Sequence, residues 1–306
     1  KGLPDERVFL MRTMEDACRL RQYLDTHPVK KAVVVGASMV GIKVAELLLN
    51  RGADTTIADF ASWLFPLASF ENVGRELERR VAAKGIHFKW KAAIEEISKA
   101  GARFSDGEEL EADLICLCIG TRANVELAAN TEVAQDQPIA IRHGIVVNNR
   151  METTAPGIYA AGDCCEGINL QSGETMIIGL WANAGCQGET AGYNMAGKTA
   201  EYAGNIVYNI THFMNMDFIG LGDNRLKGET VTFGDLHKGT YVQAVLRDGA
   251  LQCVNILDAY AVSGILKSCL LKQLAGEKAA LTPVQKGLLL KAGLEPAFVE
   301  LIGGKE

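Results

Sequence analysis

The sequence predicts an α/β fold: a doubly wound sheet in the first half of the chain, followed by a smaller α+β unit. Three observations carry this. Short, apolar, β-branched runs alternate with helical stretches over residues 32–119, the order that builds parallel sheets with helices packed on their faces. A glycine-rich turn, Gly36-Ala37-Ser38-Met39-Val40-Gly41, joins one such run to the next helix. Near the C-terminus, residues 240–246 and 251–257 flank Arg247-Asp248-Gly249-Ala250, an Asp-Gly hairpin signal.

The elements follow in order. Residues 6–27 read as a lead-in plus a helix capped by Thr13, with Asp16 in the first turn, Leu20 and Leu24 on one face and Pro28 at the end. Residues 32–35 form a buried strand, residues 41–51 a helix stopped by Gly52, and residues 55–58 the next strand. An amphipathic helix with strong charge pairing covers residues 72–84, and a third strand covers 86–90. Residues 92–111 read as short antiparallel strands turning at Ser105-Asp106-Gly107. A further buried strand, 113–119, ends in Gly120. Beyond it, GIVV and GIYAAGD within residues 144–163 are strand-like, 182–196 is a helix rich in small residues, and two short helices close the chain.

Composition narrows the function classes. With 306 residues, 48 % of them apolar, the chain can build two or three compact cores. Charged residues make up 22 % and the net charge is −6, which argues against nucleic acid as a partner, because phosphate binding needs clustered Lys and Arg. No run is long enough to span a membrane, and no signal peptide opens the sequence. The chain starts at Lys1 rather than Met, so an upstream segment is expected. The eight cysteines form no CxxC pair and no Cys/His metal spacing. They read as reduced structural thiols of a cytoplasmic protein, with Cys116 and Cys118 inside a buried strand. The five histidines are scattered, and no metal site or catalytic side chain is assigned.

The glycine turn carries chemistry because of its context: it follows a strand and opens a helix, as in dinucleotide sites. Gly36 makes the tight turn. Gly41 lets the helix pack on the strand. The middle position needs a small side chain so that the backbone can approach a pyrophosphate, and Ser38 there could itself reach a phosphate oxygen. Ala37, Met39 and Val40 complete the turn, and the helix N-terminus supplies amide donors. Asp59, 18 residues past Gly41, ends the second strand and can accept from both ribose hydroxyls. A carboxylate there repels a 2′-phosphate, so NAD(H) is favoured over NADP(H).

A second motif, METTAPGIYAAGDCCE at residues 151–166, resembles the T-x-x-x-x-I-Y-A-x-G-D signature of the FAD-dependent pyridine nucleotide-disulfide oxidoreductases. Arg12-Thr13-Met14-Glu15-Asp16-Ala17 is similar to that family's linker into the NAD domain. Ile119-Gly120-Thr121-Arg122-Ala123-Asn124 resembles its exit from that domain. Gly179-Leu180-Trp181-Ala182-Asn183-Ala184 with Gln187-Gly188 resembles its flavin-flanking helix, and Phe218-Ile219-Gly220-Leu221-Gly222 the start of its C-terminal domain. The resemblance runs through nearly the whole chain and is closest to the branch of NADH-dependent nitrite reductase large subunits and rubredoxin- or ferredoxin-reductase-like enzymes.

The resemblance implies a Rossmann-like NAD(H)-binding domain over residues 1–122, the second segment of an FAD-binding domain over 123–198, and an α+β interface domain over 199–306 that often supports dimerisation. It implies that Asp163 bonds the ribityl chain of FAD, with Gly162 letting the backbone come close. The first amides of the helix after Leu180 would face the flavin, and Trp181 would wall its ring or else pack in the core. In the family another strand–glycine loop–helix grips the ADP half of FAD. These 306 residues hold no second G-x-G-x-x-G and no C-x-x-x-x-C redox pair. Lys43 stands where the family usually has glutamate near flavin N5. It either pairs with an acid of another segment, orients an anionic acceptor, or lies on a solvated face. Adjacent Cys164 and Cys165 read as two small buried residues, with a redox role the alternative. The expected activity is NADH-dependent flavoprotein oxidoreduction toward a small acceptor or an electron-carrier protein. The competing expectation is a non-catalytic NAD(H)-binding regulatory or docking subunit.

Overall fold

Val33, Val34 and Val35 are each 3 % exposed or less, and they form the middle of a sheet that is covered on both faces, as the uninterrupted β-branched run requires. The computed structural model describes residues 6–130, 138–277 and 279–303. Its first unit contains β1 (Val8–Leu10), α1 (Met14–Thr26), β2 (Lys31–Val35), α2 (Met39–Asn50), β3 (Asp54–Asp59), α3 (Glu71–Ala82), β4 (Ile86–Trp90) and β8 (Leu114–Leu117). The strands form one parallel sheet in the order β1-β8-β2-β3-β4. Between β4 and β8, the strands β5 (Ile94–Ile97), β6 (Gly101–Phe104) and β7 (Glu109–Glu111) make a separate antiparallel sheet. The start of α1 agrees with the sequence signal, whereas α2 starts two residues before the expected Gly41. Thr13 accepts from Asp16 N–H in a full capping box, and Ser38 caps α2 by accepting from Gly41 N–H.

The middle stretch is less regular. It contains α4 (Glu126–Ala129), the two-residue strands β9 (Gly167–Ile168) and β10 (Thr175–Met176), and α5 (Trp181–Met195). GIVV and GIYAAGD are not strands here. They make isolated bridges, Ile145 with Cys165, Val147 with Thr153 and Glu152 with Tyr159. Among the described residues no longer strand lies beside them, so their β-branched composition has no ladder to extend.

The C-terminal unit is a five-stranded antiparallel sheet of β11 (Tyr208–Phe213), β12 (Met216–Leu221), β13 (Glu229–Asp235), β14 (Lys238–Arg247) and β15 (Ala250–Leu257), in the order β11-β12-β15-β14-β13. The hairpin turn comes where the sequence puts it, with Asp248 and Gly249 at φ 53° and 75°, the left-handed pair that a tight hairpin needs. Among the described residues three helices close the chain rather than two: α6 (Ser263–Leu274), α7 (Pro283–Lys291) and α8 (Pro296–Gly303).

The first and last units share a core. Phe213, Met216, Phe218, Tyr241 and Leu257 of the antiparallel sheet join Val34, Ile42, Leu48, Ile57, Leu64 and Phe65 in one buried cluster. Polar contacts continue it. Asn72 donates to Gln243 Oε1 at 2.7 Å, and Arg80 pairs with Asp258 at 2.8 Å. Among the described residues no helix is long and apolar enough to cross a membrane.

Candidate functional site

The glycine turn is built for close backbone packing. Gly36 has φ 116°, a region closed to most side chains, and a Cβ on it would lie 2.4 Å from the Cys118 carbonyl oxygen at the end of β8. A Cβ on Gly41 would lie 2.0 Å from the Gly36 carbonyl oxygen. Any larger residue at either position would force α2 away from β2 and β8. Ser38 is turned inward: its hydroxyl donates to the Cys118 carbonyl at 3.2 Å and accepts from Gly41 N–H at 3.1 Å. Its only proton is therefore engaged in fastening the turn to β8. The first amides of α2 remain as anion donors. Met39 is half-buried at the start of α2, and Val40 is 46 % exposed.

Asp59 ends β3 beside this turn. One carboxylate oxygen accepts from Ala37 N–H at 2.6 Å and the other from Ala61 N–H at 2.8 Å. The structure therefore brings together the two features that the sequence separates by 18 residues. Each oxygen has one lone-pair direction left for a ligand hydroxyl. Gly120, at φ 98°, is exposed just beyond β8.

A second cluster forms around Asp163. Gly162 is left-handed at φ 87°, and its N–H donates to Gln187 of α5 at 2.9 Å. The Asp163 carboxylate is 48 % exposed and pairs with Arg12 at 3.4 Å, so a residue of the linker before α1 reaches the G-D motif. Gly179 lies beneath it: a Cβ there would be 3.5 Å from Asp163 Oδ2. Leu180 is the N-cap of α5 with no side-chain capping bond, which leaves the first-turn amides for another acceptor. Trp181 is 96 % exposed, which removes core packing as its role here. Below it, Asn183 is buried and accepts from Tyr202 at 2.5 Å and Asn205 at 3.1 Å, fixing α5 against the start of the C-terminal unit.

The remaining candidates resolve as follows. Lys43 donates to Glu46 at 2.7 Å and to the His212 carbonyl at 2.9 Å, so it fastens α2 to β11. Cys164 and Cys165 are free thiols. Cys165 is buried, and burial pushes its thiol up to about 12, which makes it a poor nucleophile. Among the described residues no group of three or more His, Cys, Asp or Glu could hold a metal ion. Two open cavities, of about 240 and 360 Å3, are lined around Phe9, Arg19, Tyr23 and His27 and around Lys31, Asp54, Thr56 and Glu111; neither is lined by the glycine turn or by Asp59.

Sequence reasoning passed over two features of this site. One is Arg12 as the partner of Asp163. The other is the loop of residues 60–70, FASWLFPLASF, whose Ala61 and Phe65 both bond the site. Its density of aromatic residues, unusual for a solvent loop, was the signal available.

Comparison with known proteins agrees with this architecture. The sequence model of the family described as pyridine nucleotide-disulphide oxidoreductase matches residues 1–188. The NADH oxidase of Methanocaldococcus jannaschii is 31 % identical over 207 residues, covering 66 % of this chain and 45 % of that protein. A nitrite reductase [NAD(P)H] of Bacillus subtilis is 30 % identical over 225 residues, covering 71 % of this chain and 26 % of that protein. The structure of an NAD-dependent persulfide reductase from A. fulgidus superposes with a TM-score of 0.81 at 22 % identity, covering 98 % of this chain and 58 % of that one. This chain thus spans less than two thirds of the length of each. With the glycine turn, the acid after β3 and the G-D motif in place, the chain belongs to the pyridine nucleotide-disulphide oxidoreductase family.

Proposed function

We propose that this chain is the nicotinamide-nucleotide portion, with the second flavin segment, of an NADH-dependent flavoprotein oxidoreductase. The observation that carries the reading is the Asp59 carboxylate, fixed by Ala37 N–H at 2.6 Å and Ala61 N–H at 2.8 Å beside the glycine turn. Its remaining lone pairs suit the two hydroxyls of the adenosine ribose and oppose a 2′-phosphate. The backbone amides of Ser38, Met39 and Val40 would carry the pyrophosphate, Gly36, Ala37 and Gly41 would shape the turn with their own amides engaged on Ala58, Asp59 and Ser38, and Gly120 would leave the far side of the turn open. The second cluster fits FAD by its donor set. Asp163 offers acceptors to a ribityl chain, Gly162 admits close approach, and the uncapped α5 amides after Leu180 suit an electron-rich ring edge. Trp181 offers an apolar wall. The chemistry that bound NADH and FAD would supply is hydride transfer between them and electron delivery to a small acceptor or an electron-carrier protein. Residues 1–122, 123–198 and 199–306 would serve as the nucleotide, flavin and interface units, the last able to support a homodimer.

The test is a visible absorption spectrum of the purified chain, followed by anaerobic NADH and by titration of NADH and NADPH. A flavin spectrum that bleaches with NADH supports a working reductase. A colourless protein that binds NADH supports the reading as a nucleotide-binding subunit instead. In Asp59→Ala, NADH affinity is expected to fall at least about tenfold, the loss of hydrogen bonds to a charged acceptor, while NADPH affinity changes far less. Equal losses for both would remove Asp59 as the ribose partner.

A further inference from the structure

The Ala37 backbone is held at both ends. Its N–H reaches Asp59 at 2.6 Å, and its carbonyl accepts from Phe65 N–H at 3.2 Å. Phe65 has φ 58°, a left-handed conformation that a bulky aromatic residue adopts only where its surroundings impose it. Its backbone is held within its own loop, where Ala68 N–H, Ser69 N–H and the Ser69 hydroxyl donate to the Phe65 carbonyl, and its ring is held by the C-terminal unit. The Phe65 ring meets Phe213 edge-on at 5.5 Å and Phe218 at 5.3 Å, and all three side chains are 2 % exposed or less. The same unit grips the rest of the loop. Asn255, 1 % exposed, accepts from Phe70 N–H at 2.7 Å and donates to the Ala68 carbonyl at 2.9 Å. Asn224 donates to the Ser69 carbonyl at 2.7 Å. Gly220 of β12 gives the loop its room: a Cβ there would lie 2.8 Å from the Ala68 carbonyl oxygen.

We propose that Phe65 is a positioning residue through which the C-terminal sheet sets the placement of Ala37 and Asp59, and hence the preference for NADH over NADPH. The proposal rests on reading the glycine turn and Asp59 as the dinucleotide site. The physical route is short. A shift of β12 or β15 moves the loop, the loop moves Phe65, and Phe65 N–H moves the Ala37 carbonyl. Ala37 N–H and Ala61 N–H, which aim the carboxylate, move with it. The C-terminal unit thereby acts on nucleotide choice without touching the nucleotide.

The experiment measures NADH and NADPH affinities for the whole chain by calorimetry, well below the unfolding transition, in Phe65→Leu, Gly220→Ala, Asp59→Ala and the double variant Asp59→Ala/Phe65→Leu. Phe65→Leu keeps an apolar side chain. Gly220→Ala pushes on the loop from the far side and leaves the turn chemically intact, so it serves where Phe65→Leu folds poorly. Circular dichroism checks the fold of each. The expected result is a loss of NADH affinity of about tenfold in both single loop variants. NADPH affinity changes little, and the Asp59→Ala and Phe65→Leu losses fail to add. Equal losses for the two nucleotides, or losses that add to those of Asp59→Ala, would overturn the proposal and leave Phe65 a packing residue. If Asp59→Ala itself leaves the NADH preference unchanged, the site reading fails, and with it the proposal.

Discussion

Lys43 shows how far a single residue can be read. The family resemblance sets it where a glutamate near flavin N5 is usual, with a solvated helix face as the alternative, but its ammonium is shared between Glu46 and the His212 carbonyl. Glu46 in turn accepts from Met214 N–H at 2.6 Å, at a turn where Met214 and Asn215 are both left-handed, at φ 48° and 58°. Burial works to raise the Glu46 carboxyl, but the Lys43 and Met214 bonds prevail and hold it below its ordinary value. Lys43→Glu therefore places a second carboxylate beside Glu46 and removes the tie to β11. The expected outcome is a stability loss of about 1 kcal/mol in urea unfolding, with NADH affinity roughly intact. A collapse of affinity would show that Lys43 reaches the nucleotide. Gly36 and Gly41 were legible in the sequence because close backbone approach excludes a side chain there, and the placement of Asp59 because the strand that follows a glycine turn and its helix ends beside that turn. The His212 carbonyl as a partner of Lys43 was not, because a long flexible side chain takes such a partner from tertiary neighbours, here 169 residues away.

Elements were legible where local physics decides them. The β-branched runs of β2 and β3, the apolar run of β8 and the Thr13 capping box specify themselves. β1, three residues long, exists because β8 offers it a parallel edge, a contact more than a hundred residues distant in sequence. Among the closing helices, α7 carries a plain signal, the Thr282-Pro283 start with Gln285 completing a capping box. The charge pairing that the sequence shows in α3 is not all at the surface: Glu76 is 3 % exposed. It bonds Arg79 and Arg80 of its own helix at 2.8 Å and His237 of the β13–β14 turn at 2.8 Å, and Arg80 continues to Asp258. Burial raises the Glu76 carboxyl, but those hydrogen bonds outweigh it and bring it down to about 2. A carboxyl depressed in the folded state stabilises above its unfolded value, near 4.5, and that stability is lost as pH falls from there toward about 2. Glu76→Gln is expected to cost about 2 kcal/mol at neutral pH, since Arg80 then keeps only Asp258 as a counter-charge. The variant should also lose less stability than the parent between pH 4.5 and about pH 2, the interval in which the Glu76 linkage acts. Parallel acid profiles would show that the network contributes nothing specific.

At the scale of the molecule, one buried core spans both sides of residue 199, where the family resemblance divides the chain. Leu64, Phe65 and Ala68 of the nucleotide unit lie in one buried cluster with Phe213, Phe218 and Leu257, and Asn255 ties the two backbones together. Composition cannot reveal this, because apolar residues in two separate cores and in one shared core look the same in sequence. Cooperative units follow buried contacts rather than sequence domains. The nucleotide sheet and the antiparallel sheet should therefore open together, while residues 138–178, joined mainly by isolated bridges and two-residue strands, should open at lower cost. Hydrogen exchange followed by mass spectrometry separates the two cases. Peptides covering 60–70, 213–221 and 253–257 are expected to share one opening free energy in rising denaturant, and peptides within 138–178 to exchange earlier. Earlier opening of 213–221 and 253–257, with 60–70 still protected, would mean that the C-terminal unit folds and unfolds on its own. The loop that aims Asp59 would then not depend on it for stability.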